Sequence, residues 1–175
     1  MKQTTLCFLI KERGKEKEIL LAMKKRGWGQ GKWNGVGGKL DVSRGDKDIF
    51  DAAIREMKEE IGVEIEKQEE MAILDFSYPY LSNPDEKEWR VRVFFASDWQ
   101  GTPEESEEMK PQWFKINEIP FDNMWPDDKF WLPRVLNGER LKAKFIFKAG
   151  EIIDSYEIKN TQIRLKIKTE RGINE

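Results

Sequence analysis

The segment from Asp48 to Gly62 constrains the fold of this chain more than any other, because its pattern fits one kind of element. Apolar residues recur with the spacing of one helix face, at positions 49, 50, 53, 54, 57 and 61. Gly62 then stands where a left-handed residue commonly ends a helix. The pattern therefore predicts an amphipathic α-helix over residues 48–61 whose apolar face packs on a core.

Apolar runs that favour β-strands lie on both sides of this helix in the sequence. The runs predicted to form strands are 4–10, 18–23, 71–80, 89–97, 111–116, 142–148 and 151–158. A second helix is predicted over 127–137, and Pro133 inside it should kink it or limit it to a few turns. These elements predict an α+β fold. No repeat or linker divides the sequence, so we expect one domain over 1–175, with 159–175 forming an extra edge strand or a frayed tail.

Composition excludes several kinds of chemistry. The sequence contains no histidine and one cysteine, Cys7, so Ser-His-Asp triads, His or Cys zinc sites and disulfides lack their parts. The 31 Lys and Arg residues against 33 Asp and Glu leave no cationic surplus for duplex nucleic acid. The longest N-terminal apolar run, Leu6–Ile10, is too short for a membrane span or a secretion signal. We therefore expect a cytoplasmic protein that binds neither membrane nor duplex nucleic acid, and we expect a monomer.

Three glutamates, Glu56, Glu59 and Glu60, lie at the edge of the apolar face of the predicted helix. Glu56 and Glu60 are one turn apart, and like charges at that spacing destabilise a helix by about 0.2–0.5 kcal/mol. A pattern that lowers stability locally is typical of a site, whereas the alternative is an ordinary solvated helix face. A glycine-rich stretch, GWGQGKWNGVGGK over residues 27–39, precedes the helix.

The sequence GVGGK, followed by the helix segment REMKEEIGV, resembles the Nudix box, in which glycine precedes the helix pattern Arg-Glu-x-x-Glu-Glu-x-Gly. The resemblance implies a Nudix-like α/β/α sandwich with a mixed β-sheet. It also implies hydrolysis of a pyrophosphate bond with Mg²⁺, Mn²⁺ being an alternative ion, because such ions neutralise phosphate oxygens. The metal ligands that it implies are Glu56, Glu59, Glu60, Glu108 and a backbone carbonyl of Gly37 or Gly38. The three helix glutamates are implied to be catalytic, together with Arg55, which orients them by ion pairing.

The chain departs from the Nudix box at one position. The pattern has a glutamate ahead of the arginine where this sequence has Lys47, and the loop between Gly38 and Arg55 is longer. That glutamate supports the loop and the arginine in the family, so the departure concerns the partner of Arg55 more than the metal ligands. We expect Asp46 or Asp48 to replace it.

The resemblance extends beyond the box to the MutT-type oxidised-purine nucleoside triphosphatases. The segments that carry it are MKKRGWGQGKWNGVGGK, QGTPEESEEMKPQWF and IPFDNMWPDDKFWLP. It implies oxidised purine nucleoside triphosphates, such as 8-oxo-dGTP and 2-hydroxy-dATP, as the substrates. The residues that it implies to bind them are Thr5, Leu6, Lys24, Trp28, Asn34, Phe76, Trp89, Trp125, Asp127 and Asp128. If this pocket excludes water, burial and mutual repulsion raise the pKa of one of the two aspartates, and the pair holds a single proton.

Alternatives remain open for the pocket and for the function. Single aromatic residues such as Trp125 commonly pack in a core, Asn34 suits a turn, and Asp127 and Asp128 suit a helix cap. Another Nudix substrate, such as a dinucleoside polyphosphate, a capped RNA end or an O6-methylated purine triphosphate, is an alternative function. A Nudix-fold nucleotide sensor without turnover is a further one, although such a protein is expected to have lost some of the three helix glutamates.

Overall fold

The computed structural model describes residues 1–162, 167–169 and 172–174. In this part the strands are β1 (Lys2–Arg13), β2 (Glu16–Lys24), β3 (Trp33–Asn34), β4 (Glu64–Ser77), β5 (Glu88–Gln100), β6 (Met109–Lys115), β7 (Leu141–Lys148), β8 (Ile152–Asn160), β9 (Ile167–Thr169) and β10 (Gly172–Asn174). The α-helices are α1 (Ile49–Ile61) and α2 (Asp128–Leu136). All the predicted strands and both predicted helices are confirmed, and neither helix is long and apolar enough to cross a bilayer.

Helix α1 has well-defined ends that follow from its sequence. The Asp48 carboxylate accepts hydrogen bonds from the backbone N–H groups of Phe50 and Asp51, at 2.9 and 3.0 Å. Gly62 adopts a left-handed conformation (φ 73°) and its N–H donates to the Lys58 carbonyl. The predicted apolar face is buried, so the helix is fixed at both ends and along one side.

The strands form a mixed sheet with helices on both faces. β1 pairs parallel with β5 and antiparallel with β2, while β4 pairs antiparallel with β5 and parallel with β7. Successive side chains of β1 enter different cores: Leu9 packs on the α1 side, and Phe8 packs with Trp131 of α2 on the other side. Burial on both faces explains the uninterrupted apolar run of β1. The α+β sandwich predicted from the sequence is thus confirmed.

The glycine-rich segment before α1 is bound to β1. Cys7 and Val36 exchange backbone hydrogen bonds of 2.7 and 2.9 Å, and the Thr5 N–H donates to the Gly38 carbonyl at 2.9 Å. A side chain at Gly37 has no space, since a Cβ there would lie 1.9 Å from the Thr5 carbonyl oxygen. This close approach of two backbones places the segment beside α1.

The C-terminal residues supply the extra strand that the sequence allowed. β9 pairs antiparallel with β4 at Gln68 and Glu69, and β10 pairs with β9. Ile163 and Leu165, which contributed to that expectation, lie outside the described residues. Ile167–Thr169 is thus a short strand added beside β4.

Candidate active site

Arg55 connects helix α1 to the loop before it. Its Nε and Nη2 atoms donate to the two carboxylate oxygens of Asp46, each at 2.9 Å, and Nη2 also donates to the Lys39 carbonyl at 3.0 Å. Asp46 is buried, and the guanidinium hydrogen bonds hold the pKa of its carboxyl below the usual value. Of the two aspartates expected to support Arg55, Asp46 makes the contact, while Asp48 caps α1.

Glu56 is half-buried between Arg55 and the glycine-rich segment. The Nη1 atom of Arg55 donates to Glu56 Oε1 at 2.6 Å. A Cβ at Gly38 would lie 2.3 Å from the same oxygen, so glycine is required there for the carboxylate to fit. The Gly38 carbonyl accepts hydrogen bonds from Thr4 Oγ1 and from the Thr5 N–H, at 2.8 and 2.9 Å. Its lone pairs are thus already engaged by β1, which leaves Gly37 as the better candidate for a carbonyl ligand.

Glu60, one turn further along α1, carries the most unusual carboxyl of this region. Its Oε2 atom is buried and has no hydrogen-bond partner in the part of the chain that the structure describes. Burial, followed by the negative charge of Glu56, raises the pKa of Glu60 to about 7, although the charge of Lys24 opposes the increase. A buried oxygen without a partner, beside a second carboxylate, suits a hard cation. Such an ion would give the Glu60 oxygen a partner and would reduce the repulsion between Glu56 and Glu60.

Glu59 and Glu108 are held by arginines, as Glu56 is. Glu59 pairs with Arg44 at 2.8 Å and with Arg55 at 3.3 Å, and Glu108 pairs with Arg26 at 2.7 Å. Within the described ranges, no three acidic side chains stand close enough together to ligate one ion. Glu59 shares the Nη1 atom of Arg55 with Glu56, and its charge, like those of Glu56 and Glu108, acts on Glu60. Glu56 lies against Gly38 of the glycine-rich segment, and Glu60 follows it one turn along α1.

A second group of predicted residues forms an aromatic site on the α2 side of the sheet. The Trp28 ring is 71% exposed and lies 4.4 Å from the Trp125 ring, centroid to centroid. Gly29, at a positive φ of 83°, passes close to Trp125, since a Cβ there would be 3.1 Å from the indole. Lys32 Nζ lies 5.0 Å from the centre of the same ring. An exposed tryptophan on a glycine-flanked turn thus covers a more deeply placed one.

Asp127 and Asp128 are both buried at the start of α2. Asp127 Oδ2 accepts a hydrogen bond from the Trp131 indole N–H at 3.0 Å, and Asp128 Oδ2 accepts from the Trp125 N–H at 3.0 Å. The Asp127 side chain makes no capping hydrogen bond to the helix, which argues against the helix-cap alternative for that residue. Burial raises the pKa of both carboxyls, and the charge of Asp127 raises that of Asp128 further. The two groups together therefore favour a protonated carboxyl beside an ionised one.

The remaining predicted binding residues have contacts of their own within the fold. The Asn34 Oδ1 atom accepts from the Gly35 N–H at 2.8 Å, and Phe76 is buried in a stack with Phe145. Trp89 is half-buried, and its indole N–H donates to the Glu86 carbonyl at 2.9 Å. Two residues are largely structural in this state: Thr5 exchanges hydrogen bonds with Gly38, and Leu6 packs on the core. Lys24 contributes its charge beside Glu60 and Glu108.

Sequence reasoning missed three residues of the aromatic site. Trp131 is separated from Asp127 by one helical turn, a spacing that predicts their contact once α2 is recognised. Glu151 pairs with Lys32 at 3.0 Å from the turn between β7 and β8, and Tyr78 packs against Phe76. Neither of these two carries a local sequence signal, because the β4, β7 and β8 ends meet only through the sheet.

Comparisons with known proteins bear on the family of this chain. A model of the NUDIX domain matches residues 2–135. The oxidized purine nucleoside triphosphate hydrolase of Mus musculus is 40% identical over 141 residues, which cover 81% of this chain and 86% of that protein. The hydrolase of the same name from Danio rerio is 38% identical over 140 residues, covering 80% and 85% respectively. The crystal structure of a MutT protein from Bacillus halodurans matches with a TM-score of 0.72 at 25% identity, over 90% of this chain and 97% of that one. By its domain match, by these relatives and by the helix and glycine-rich segment described above, the chain belongs to the Nudix family.

Proposed function

We propose that this protein is a Mg²⁺-dependent pyrophosphohydrolase that converts oxidised purine nucleoside triphosphates to the monophosphate and pyrophosphate, and so removes them from the nucleotide pool. The proposal rests above all on the buried pair Asp127 and Asp128 beside Trp125. Two carboxyls that share a proton offer a donor and an acceptor to a purine edge. The names of the mouse and zebrafish relatives give the same class of substrate and support the proposal.

The hydrolytic half of the proposal uses the glutamates of α1. Nudix hydrolases generally need divalent metal ions, and the buried, unpartnered Oε2 atom of Glu60, with Glu56 one turn before it, would hold one. When bound, Mg²⁺, or Mn²⁺ in its place, neutralises the phosphate oxygens and makes the phosphorus more susceptible to attack. Glu59 and Glu108 would join the site by leaving their arginine partners, and the Gly37 carbonyl would add a neutral oxygen. Lys24 is the candidate for contact with the phosphates, because its charge lies beside Glu60.

The base-binding half of the proposal uses the aromatic site. Trp28 and Trp125 would hold the purine by stacking, and the Asn34 side chain would add an amide contact. An ionised aspartate accepts from a ring N–H or an amine, whereas a protonated one donates to a carbonyl. Movement of one proton between Asp127 and Asp128 would present the complementary pattern, which is a physical route to accepting more than one oxidised purine. The proposal also places the protein in the cytoplasm as a monomer.

The proposal is tested by a turnover panel with pyrophosphate detection. The panel contains dGTP, dATP, 8-oxo-dGTP, 2-hydroxy-dATP, O6-methyl-dGTP and a dinucleoside polyphosphate, each with Mg²⁺ and with a chelator. We expect the highest kcat/KM for an oxidised purine triphosphate, with Mg²⁺ required and with monophosphate and pyrophosphate as the first products. A preference for the dinucleoside polyphosphate or O6-methyl-dGTP would change the substrate assignment, and diphosphate with orthophosphate as first products would rule out the proposed reaction. Hydrolysis in oxygen-18 water identifies the phosphorus that is attacked.

A further inference from the structure

Tyr78 is held rigidly at the end of β4, next to the aromatic site. Its ring stacks on Phe147 at 5.3 Å and on Phe76 at 6.5 Å, with interplanar angles of 25° and 18°. Its backbone N–H donates to the Lys87 carbonyl at 2.8 Å, and its own carbonyl accepts from the Leu81 N–H at 3.1 Å. Both the ring and the backbone are therefore fixed, so that the hydroxyl has a defined position.

The hydroxyl of Tyr78 is a donor without an acceptor. The side chain is half-buried, and no hydrogen bond from its oxygen is found among the residues that the structure describes. Burial raises its pKa, and the charges of Asp127 and Glu151 raise it further. The phenol is protonated at neutral pH, and it lies within electrostatic range of Asp127. Its oxygen is not fully buried, so water or a ligand atom can be its hydrogen-bond partner.

We propose that the Tyr78 hydroxyl is a fixed hydrogen-bond donor to the base of the bound nucleotide and helps to set which purine this protein prefers. The inference rests on the proposed function. It is carried by the stack on Phe76 and Phe147, which directs a rigid tyrosine to the side of the sheet where Trp131 and Asp127 lie. Asp127 and Asp128 can exchange donor and acceptor roles, whereas the neutral phenol keeps its O–H donor whichever aspartate holds the shared proton, and its oxygen can also accept. The ligand atom that it fits is a carbonyl oxygen or an unprotonated ring nitrogen.

The test is the Tyr78→Phe variant, which removes the hydroxyl and keeps the ring stack. We expect kcat/KM for the preferred oxidised purine triphosphate to fall about three- to tenfold, as for the loss of one neutral hydrogen bond. The ratio of kcat/KM between 8-oxo-dGTP and 2-hydroxy-dATP should change by at least about threefold, because the two bases place different atoms at their edges. Thermal stability should stay within about 2 °C of that of the wild type, since the buried surface is unchanged.

Tyr156→Phe is the matched control. The ring of Tyr156 packs on Phe145, as that of Tyr78 packs on other phenylalanines, but Tyr156 is exposed on β8. Removal of the Tyr156 hydroxyl should therefore change neither kcat/KM nor its ratio between the two substrates. Equal substrate ratios in the wild type, Tyr78→Phe and Tyr156→Phe would overturn the inference. A change of the same size in both variants would also overturn it, because the effect would then not be specific to Tyr78.

Binding of 8-oxo-dGMP, measured by calorimetry with a chelator present, separates this inference from the proposed function. If the wild type binds 8-oxo-dGMP and Tyr78→Phe binds it about three- to tenfold more weakly, the inference is supported independently of turnover. If both bind it equally, the inference fails while the proposed function stands. If the wild type neither binds 8-oxo-dGMP nor hydrolyses any oxidised triphosphate of the panel, the proposed function itself fails.

Discussion

Replacing Glu60 by glutamine should stabilise the metal-free protein while nearly abolishing its turnover. Glu60 has a buried oxygen without a partner in the described part of the chain, and its pKa is raised from 4.5 to about 7 by burial and by Glu56. An acid whose pKa is higher in the folded state makes the protein less stable as the pH rises between those two values. The reason is that the unfolded chain releases its proton first. At pH 8 the folded wild type therefore carries the full cost of this ionised carboxylate.

The loss of stability caused by ionised Glu60 can be estimated from its pKa shift. If the whole pKa shift of Glu60 were expressed as free energy of unfolding, it would amount to about 3 kcal/mol. Glu60 is partly exposed, so solvent screening reduces the expected gain in stability of Glu60→Gln at pH 8 to about 1–2 kcal/mol. At pH 4 the wild-type carboxyl is protonated and the gain should vanish. Turnover with Mg²⁺ should nevertheless fall by orders of magnitude, because the amide oxygen is a far weaker ligand than a carboxylate.

Urea denaturation in the presence of a chelator, from pH 4 to pH 8, measures the effect. Asp127 and Asp128 also titrate with raised pKa values, but they do so in both proteins, so the difference between the two pH profiles isolates Glu60. Glu64→Gln is the control, since Glu64 is exposed and makes only a surface pair with Lys58. A Glu60→Gln protein no more stable than the wild type at pH 8, or equally stabilised at pH 4, would refute this account of the site. Excess Mg²⁺ should stabilise the wild type and have little effect on the variant.

Three further predictions concern the loop and the base pocket. Asp46→Asn should lower the free energy of unfolding by about 3 kcal/mol, because it leaves Arg55 without its buried partner, while Lys47→Ala should change it by less than about 0.5 kcal/mol in the same chemical denaturation assay. Trp28→Ala should weaken nucleotide binding about two- to tenfold by calorimetry with no loss of stability, since the ring is exposed yet lies on Trp125. Asp127→Asn and Asp128→Asn should each lower kcat/KM strongly but unequally for 8-oxo-dGTP and 2-hydroxy-dATP. An unchanged ranking in both variants would contradict a role in reading the base.

Local patterns predicted most of the fold. The helical spacing of the residues after Asp48 located α1 to within one residue, because burial of one face and the glycine at its end are both encoded nearby. β4 was predicted from residue 71, whereas it begins at Glu64. The residues before 71 are mostly charged and carry a weak strand signal. They form a strand because β5 pairs with them along their whole length.

The candidate site was predictable only where its residues are close in sequence. Glu56 and Glu60 share a helix stripe, and the glycine-rich segment is a local motif, so these positions are evident from sequence spacing and the Nudix resemblance. The ion pair of Glu59 with Arg44 joins residues fifteen positions apart, and no periodicity specifies that contact. Tyr78 reaches the aromatic site through strand pairing between β4 and β7. Such contacts are set by sheet topology, which the spacing of residues does not encode.

Arg55 also joins the two ends of the loop before α1. The length of this loop can therefore change without altering the position of the helix. The guanidinium holds the Lys39 carbonyl at one end and the Asp46 carboxylate at the other, and the Asp41 N–H donates to Asp46 at 2.9 Å. The residues between these contacts extend outward, and Val42 among them is 76% exposed. Additional residues can therefore be accommodated at the tip without moving Glu56, which explains how a chain with a lengthened loop keeps the helix in place. The same tip is a suitable insertion point for a peptide tag or a fluorescent label.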